Sequence, residues 1–305
     1  MKRQNNKRGF TPDRIISRTN QGEETQGLMA FLSEAFPDAK RNDIKRWLKY
    51  GHVMVNGYVA KGFDFPVPPA TVVEVNFTRP FVTFSHRRLE LVYEDEDIIV
   101  VNKGYGLLSV GTGAPTSGKA GKPQETAYNI LKDYVKAKNP MNKIFVVHRL
   151  DRHTSGLMMF AKSMEMQEAM QHNWNNMVIS RKYVALVEGT VEQDEGEIRS
   201  RLEENSRFRV YSSTDDSGKL AVTRFKVLRR TKGNTLVEFE LDTGRKNQIR
   251  VHASEMGHPI VGDVKYGGHT SPLHRLALHA QTLRFAHPRT RRDMHFVSEV
   301  PFDRK

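Results

Sequence analysis

The chain has 305 residues, more than one ordinary domain requires, so two folded units or one large unit with an appendage are expected. Its 48 Lys and Arg outnumber 35 Asp and Glu, and the resulting charge of +13 favours a polyanionic partner, with nucleic acid the first candidate. The absence of cysteine excludes disulfides, thiol catalysis and cysteine-ligated metal.

The amino-terminal segment is basic and carries little apolar patterning. Residues 1–20 lack the apolar centre of a secretory signal, and no run in the chain approaches the roughly 18 apolar residues that cross a bilayer. We therefore predict a cytoplasmic protein without membrane contact. Residues 1–24 are expected to form a flexible basic arm, with a tail that only aids solubility as the alternative.

Residues 25–78 have the pattern of a small α/β domain. A helical apolar pattern follows Thr25 and stops at Pro37, and a second short helix, Arg41 to Tyr50, ends at Gly51 in the position of a left-handed cap. An alternating segment split by Asn56-Gly57 predicts a hairpin, and Thr71 to Phe77 predicts another strand.

The second of these helices is loaded with cations. They suit phosphate contact without base readout, whereas a solvated helix face is the alternative. The predicted RNA-binding residues on this helix are Arg41, Lys45 and Arg46.

Residues 79–305 contain many predicted strands and few helices. This pattern indicates an α+β fold with a mixed, mostly antiparallel sheet and flanking helices. Helices are expected at 125–138 and 164–174. Strands are expected at 89–93, 98–102, 144–147, 157–161, 182–188, 197–202, 221–229, 236–241, 276–285 and 294–300.

The run His148-Arg149-Leu150-Asp151-Arg152-His153-Thr154-Ser155-Gly156 is the most informative stretch of this region. Apolar residues precede and follow it, so the polar run should be a loop held between two buried strands. A carboxylate in such a loop is presented to a site. Alone, however, the stretch slightly favours a turn-capping Asp and a surface Arg, the ordinary roles of these residues in loops.

Two later segments change this balance, because they follow in the order and approximate spacing of one enzyme family. They are Lys182-Tyr183-Val184-Ala185-Leu186-Val187-Glu188-Gly189 and Thr243-Gly244-Arg245-Lys246-Asn247-Gln248-Ile249-Arg250-Val251-His252, with Gly257 to Asp263 after them. From about Leu89 to its end the chain resembles the RluA-type pseudouridine synthases. Residues 25–78 more weakly resemble the RNA-binding domain named after ribosomal protein S-four.

The resemblance assigns roles to individual residues. It implies that Asp151 is catalytic, that Tyr183 contacts the target base, and that Arg250 pairs with Asp151, with Arg245 as the alternative. It implies no cofactor and no metal. Of the other cations, Arg149 could fill the gap left by a flipped base or hold a phosphate. The remaining predicted RNA contacts are Arg152, Lys103, Arg245 and Lys246.

The chain departs from the family pattern at two places. The signature Asn-Lys-Pro-x-Gly reads Asn102-Lys103-Gly104-Tyr105-Gly106, so a permissive glycine replaces a rigid proline. The usual Thr-His of the arginine segment is Lys246-Asn247, which adds a charge near the expected RNA surface.

The implied reaction breaks the bond between ribose and uracil nitrogen, turns the base and rejoins it through carbon. It needs an ionised carboxylate at the sugar; burial disfavours that ionised form, and an arginine partner offsets the cost. The uridine must also leave its stack, at a cost of a few kcal/mol. Tyr183 could stack on the uracil or remove its carbon-bound proton, although an ordinary tyrosine, with a pKa near 10, is a weak base.

Three other patterns are interpreted as having no catalytic role. Residues 113–119 approach a phosphate-binding loop but lack its final hydroxyl residue, and Ser155 lacks the frame of a serine hydrolase. His252, Glu255 and His258 do not have metal-ligand spacing, so structural or substrate-facing histidines are expected.

The sequence therefore predicts a stand-alone, monomeric RNA pseudouridine synthase. Large-subunit ribosomal RNA is the first expected substrate and transfer RNA the second. The alternatives are a non-catalytic RNA-binding ribosome-assembly factor and a hydrolase that releases free uracil.

Overall fold

The computed structural model describes residues 13–111, 124–215, 217–269 and 273–303. The described chain divides into two compact units, one formed by residues 13–84 with Tyr134–Asn142, the other by Ser85–Asp133 with residues 143–303. The expected boundary lay between residues 78 and 79. The division falls after residue 84 instead, and a short segment from later in the chain joins the first unit.

The first unit is a four-stranded antiparallel sheet with two helices. The strand order is β1-β6-β3-β4, and β2 and β5 form a separate pair. The elements are β1 (Ile15–Thr19), β2 (Gln26–Gly27), α1 (Leu28–Ala35), α2 (Arg41–Tyr50), β3 (Val53–Val55), β4 (Tyr58–Val59), β5 (Pro66–Val67) and β6 (Val72–Asn76). Leu28, Leu32, Ile44 and Leu48 pack with the buried valines of β3 and β6 to form its core.

The predicted turns of this unit are confirmed. Gly51 caps α2 at φ 76°, in the left-handed region that glycine enters without strain. Asn56 and Gly57 both have positive φ between β3 and β4, as the tight turn of a hairpin requires.

The prediction of a flexible arm through residue 24 is wrong for the part of it that the structure describes. Ile15 to Thr19 form β1, which pairs along its length with β6. Asn20 is buried, and its side-chain amide donates a hydrogen bond to the Val67 carbonyl at 2.8 Å. β1 is an edge strand held by backbone hydrogen bonds and buries little side chain, so its sequence carries no apolar alternation. Residues 1–12 of the expected arm lie outside the described residues.

The second unit is built on an eleven-stranded sheet. Its strands are β7 (Leu89–Glu94), β8 (Ile98–Lys103), β9 (Phe145–Val146), β10 (Ser155–Ala161), β11 (Val178–Glu188), β12 (Glu195–Glu204), β13 (Val210–Ser212), β14 (Lys219–Thr231), β15 (Asn234–Leu241), β16 (Leu278–Ala286) and β17 (Asp293–Val297). The remaining helices are α3 (Ala127–Lys138), whose last residues from Tyr134 onward belong to the first unit, and α4 (Met164–His172), α5 (Trp174–Met177), α6 (Gln248–Glu255) and a 3-10 turn at Val264–Tyr266.

The strand order is β13-β12-β14-β15-β11-β16-β10-β8-β7, with β9 on β10 and β17 on β16. Every pairing is antiparallel except β10 with β16. The predicted α+β class with a mixed, mostly antiparallel sheet is therefore confirmed. No helix among the described residues is long and apolar enough to cross a membrane.

The parallel pairing of β10 with β16 fixes the start of β10. Gly156 has φ 119°, and a Cβ built on it would lie 2.2 Å from the Ala280 carbonyl oxygen on β16. All seven residues of β10 are buried, so both faces of the strand are covered. The loop that precedes β10 is consequently anchored to the centre of the sheet.

Candidate active site

Asp151 lies in the loop that enters β10. The preceding Leu150 is buried, and its backbone is fixed by Ser109, whose hydroxyl donates to the Leu150 carbonyl at 2.7 Å and accepts from the Leu150 amide at 3.1 Å. The Thr154 amide donates to the Asp151 carbonyl at 3.2 Å and closes the turn. The Asp151 side chain remains 28% exposed, so a rigid loop presents the carboxylate to solvent.

Arg250, on α6, is the cation beside this carboxylate. Its Nη1 lies 3.8 Å from Asp151 Oδ2, which makes an ion pair without a hydrogen bond. The guanidinium donates two hydrogen bonds to Asp263, both at 2.7 Å, and a third to Asn247 Oδ1 at 3.1 Å. Burial lowers the pKa of Arg250, but the hydrogen bonds and charge of Asp263, with the charge of Asp151, raise it overall. The fixed partner of Arg250 is thus Asp263.

Asn247 and Tyr266 both contact the Arg250 guanidinium and support its position. Asn247 precedes α6 with φ 55°, a conformation that asparagine tolerates better than most residues. Its amide donates to the Tyr266 hydroxyl at 2.9 Å, and the Arg250 guanidinium lies 4.8 Å from the Tyr266 ring centroid. Asn247 therefore links two groups that both contact Arg250.

Tyr183 lies on β11 and lines the same pocket as Asp151 and Arg250. It follows Lys182 at an irregularity in the pairing with β16, a distortion that re-aims side chains. Burial raises the pKa of the Tyr183 phenol, the Arg181 charge lowers it, and the Asp151 charge raises it, for a net increase. The phenol is neutral at physiological pH, which favours base stacking over proton abstraction.

These three side chains line one pocket of about 440 Å³. Such a volume lies within the ordinary range of small-ligand sites and suits one extruded nucleoside. Apolar Leu150, Ile249 and Leu278 form part of its wall. Its charged rim is formed by Arg149, Glu204, Arg245 and Lys246.

The predicted RNA-contacting cations of this unit occupy different positions. Arg149, Arg152, Arg245 and Lys246 are exposed. Arg245 donates to the Leu220 carbonyl at 3.0 Å, and the Lys246 ammonium pairs with Glu204. Arg152 donates to the Gly106 carbonyl at 3.3 Å.

Lys103 does not fit the predicted phosphate contact. Its exposed fraction is 0%, and its ammonium donates to the carbonyls of Leu107 at 2.9 Å, Gly104 at 3.3 Å and Arg152 at 3.4 Å. Burial lowers its pKa to about 7 against the opposing charge of Asp151. Lys103 therefore joins the loop after β8 to the loop that carries Asp151, and RNA cannot reach it in this structure.

In the first unit, Arg41, Lys45 and Arg46 are exposed along α2, and Arg46 pairs with Asp43 at 3.0 Å. The phosphate-loop pattern at 113–119 lies outside the described residues. His252 has both ring nitrogens within hydrogen-bond distance of hydroxyls, Ser200 at 3.0 Å and Thr223 at 2.8 Å. Burial lowers its pKa to about 4, consistent with a structural histidine.

The family resemblance included the segment that contains Asp263 but assigned this residue no role. The acid side chain is 1% exposed and bound to Arg250. A buried aspartate needs a partner, and the Gly262-Asp263 turn directly after a buried segment was the available signal.

Comparison with known proteins agrees with this geometry. Residues 97–255 match the profile of the RNA pseudouridylate synthase family. The chain is 34% identical over 288 residues to an uncharacterized RNA pseudouridine synthase, YlyB, of Bacillus subtilis, covering 92% of each chain. It is 35% identical to ribosomal large subunit pseudouridine synthase D of Xylella fastidiosa, covering 90% of this chain and 85% of that one. The Escherichia coli K12 protein of the same name is 32% identical, with 91% and 88% covered.

Solved structures show the same fold. The human RNA pseudouridylate synthase domain containing 4 superposes with a TM-score of 0.57 at 24% identity, covering 70% of this chain and 89% of that one. The human domain containing 1 gives 0.54 at 23% identity. The chain belongs to the RNA pseudouridylate synthase family, and it is an RNA pseudouridine synthase.

Proposed function

We propose that this chain isomerises uridine to pseudouridine in large-subunit ribosomal RNA, with Asp151 as the catalytic carboxylate. The observation that carries the proposal is the placement of Asp151, partly exposed and 3.8 Å from Arg250, in a nucleoside-sized pocket with Tyr183. A rigid carboxylate beside a fixed cation is the arrangement that attack on a sugar or removal of its proton requires.

The reaction begins when the uridine is flipped into the pocket. The Asp151 carboxylate either attacks ribose C1′ or removes a ribose proton, and the bond from C1′ to uracil N1 breaks. The detached uracil turns, and its C5 bonds to C1′. On the first route the bond between Asp151 and C1′ breaks at this step, and on the second the ribose regains the proton that Asp151 removed. The C5 hydrogen then leaves as a proton and N1 gains one, so the product has the composition of the substrate and no oxidant or energy source is needed.

Arg250 and Tyr183 assist in different ways. Arg250, held by Asp263, keeps a positive charge facing Asp151. Tyr183, neutral because burial raises its pKa, offers a ring on which the uracil stacks as it turns. Arg149 lies at the rim, where it can occupy the space that the flipped base vacates.

Two relatives compared above are named as ribosomal large subunit pseudouridine synthases, which favours that RNA over transfer RNA. The net charge of +13 supports binding to extended structured RNA. We further assign the first unit, which contains residues 13–84, to RNA binding through Arg41, Lys45 and Arg46, and the second unit to catalysis. We also assign a monomeric state in the cytoplasm to the whole protein.

Tritium release from RNA labelled at uracil C5 tests this function, because C5 cannot bond to ribose without losing that hydrogen. Purified protein is incubated separately with large-subunit ribosomal RNA and with transfer RNA. We expect release from ribosomal RNA above all. Release confined to transfer RNA would change the substrate. Tight binding of both RNAs without release would instead support an RNA-binding assembly factor, and free uracil would identify a hydrolase.

A further inference from the structure

The turn between β12 and β13, residues 205–209, presents an exposed aromatic ring. Phe208 is 71% exposed, and its backbone has φ 57°. A bulky residue rarely enters this left-handed region, which suits glycine or asparagine. Because the ring is exposed, its burial contributes too little free energy to offset the backbone strain. The stability of the fold alone therefore does not explain a phenylalanine at this position.

The turn is nevertheless held rigidly. Asn205 Oδ1 accepts hydrogen bonds from the Arg207 and Arg209 amides, both at 3.0 Å, and the Phe208 amide donates to the Asn205 carbonyl at 2.9 Å. Lys265, next to the 3-10 turn's Tyr266, donates to the Phe208 carbonyl at 2.8 Å. The ring therefore projects from a fixed backbone.

The turn also lies at the rim of the catalytic pocket. The Lys246 ammonium, which lines that pocket, is 5.6 Å from the Phe208 ring centroid. On the other side, the Arg209 guanidinium is 5.6 Å from the Tyr266 ring, which in turn contacts Arg250. Through these contacts the aromatic ring and the candidate catalytic residues belong to one continuous surface.

The charges around the ring favour nucleic acid as its partner. Arg207, Arg209 and Lys265 surround the turn, and Lys246, which is paired with Glu204, lies beside the ring. Glu203 binds the Tyr211 hydroxyl at 3.1 Å. An aromatic ring among cations stacks on a base of any identity while the cations neutralise the flanking phosphates.

We propose that Phe208 stacks on a nucleobase of the substrate RNA next to the flipped uridine. The proposal rests on the function above. Removing the uridine from its stack leaves a neighbouring base with one bare face, and a preformed aromatic surface covers it without losing side-chain freedom. Phe208 is thus a substrate-positioning residue outside the catalytic group.

The test compares Phe208→Ala, Phe208→Trp and Phe208→Gly with the full-length wild type in binding to large-subunit ribosomal RNA. Stacking of one base predicts that Phe208→Ala weakens binding by about 5- to 100-fold with an unchanged salt slope, since no phosphate contact is lost. Phe208→Trp should retain wild-type affinity. Phe208→Gly should weaken binding while raising the Tm, because glycine relieves the backbone strain. Leu228→Ala, at an exposed apolar residue of β14, is the matched control.

Tritium release measured on the same samples separates this proposal from the function on which it rests. An active wild type with equal RNA affinity in all Phe208 variants would overturn the stacking proposal alone. A wild type that releases no tritium would overturn the proposed function, and the affinity of Phe208→Ala would still decide the stacking.

Discussion

At the scale of single residues, Asp263 is the charge that organises the site. Its carboxylate accepts two hydrogen bonds from Arg250, both at 2.7 Å, whereas Asp151 lies 3.8 Å from the same guanidinium. A bidentate pair fixes orientation as well as charge. Asp151 is thereby left with unfilled hydrogen-bonding capacity facing the pocket, as a reacting carboxylate requires.

Replacing Asp263 with asparagine should reduce turnover by on the order of 100-fold, because the released Arg250 no longer faces Asp151 in a fixed position. RNA affinity should change little, since Asp263 is buried away from the RNA. Single-turnover rates and filter binding measure the two effects. Asp293→Asn, which breaks the exposed pair with Arg284, is the matched control and should leave both unchanged. Equal rates in the two variants would mean that Asp263 does not position Arg250.

At the scale of elements, the parallel pairing of β10 with β16 explains Gly156, the last residue of the run that begins at His148. Gly156 is required because the backbone of β16 occupies the space that a side chain would take. A short turn, closed by the hydrogen bond from the Thr154 amide to the Asp151 carbonyl, connects Asp151 to β10. The position of Asp151 therefore depends on the sheet. At least one residue of this run, Gly156, is therefore required by the fold and not by the chemistry.

Gly156→Ala should destabilise the fold by about 3 kcal/mol or more, because the new Cβ must displace β16 backbone. Gly233→Ala is the control: Gly233 also has positive φ, at 86°, but nothing lies within 4 Å of its Cβ position. That variant should lose only about 1 kcal/mol from backbone strain. Urea denaturation measures both, and similar losses would refute the close approach.

Helix α2 should contribute affinity without chemistry. Combined replacement of Arg41, Lys45 and Arg46 by alanine should reduce the slope of log affinity against log salt by roughly 2 to 3, since each of the three phosphate contacts contributes about 0.7 to 0.9. The single-turnover rate at saturating RNA should stay at the wild-type value. An unchanged salt slope would leave these cations as a solvated helix face.

At the scale of the whole molecule, the sequence predicted the regular elements better than the environment of single charges. The apolar runs of β8 and β10 identified buried strands, and family resemblance placed Asp151, Tyr183 and Arg250 together in what is now one pocket. The burial of Lys103 and the Asp263 pair could not be predicted, because contacts between distant segments carry no local pattern. The edge strand β1 was not predicted either, because its pairing with the distant β6 leaves no local apolar pattern.

Three histidines with lowered pKa values, of which His252 and His279 are buried and His148 is half-buried, should make the whole protein sensitive to mild acid. Burial lowers the pKa of His148 to about 3, of His252 to about 4 and of His279 to about 4. Unfolded histidine titrates near 6.5, so below that pH the unfolded chain takes up protons that the native state does not, and stability is lost as the pH falls.

The loss should approach about 4 kcal/mol per pH unit when all three unfolded side chains are protonated. Urea denaturation between pH 6.5 and 5 measures it before most carboxylates titrate. His252→Gln should reduce the slope by about a third. A free energy of unfolding that stays constant over this interval would contradict neutral buried histidines.

The central claim is that the Asp151 carboxylate performs the isomerisation, and the most direct measurement is nucleoside analysis of large-subunit ribosomal RNA after a single turnover. Wild type and Asp151→Asn are compared at equal RNA occupancy, because asparagine keeps the shape of the side chain and removes its charge. We expect pseudouridine with the wild type, none with Asp151→Asn, and similar RNA affinity for both. Pseudouridine formed by Asp151→Asn at the wild-type rate would contradict the account.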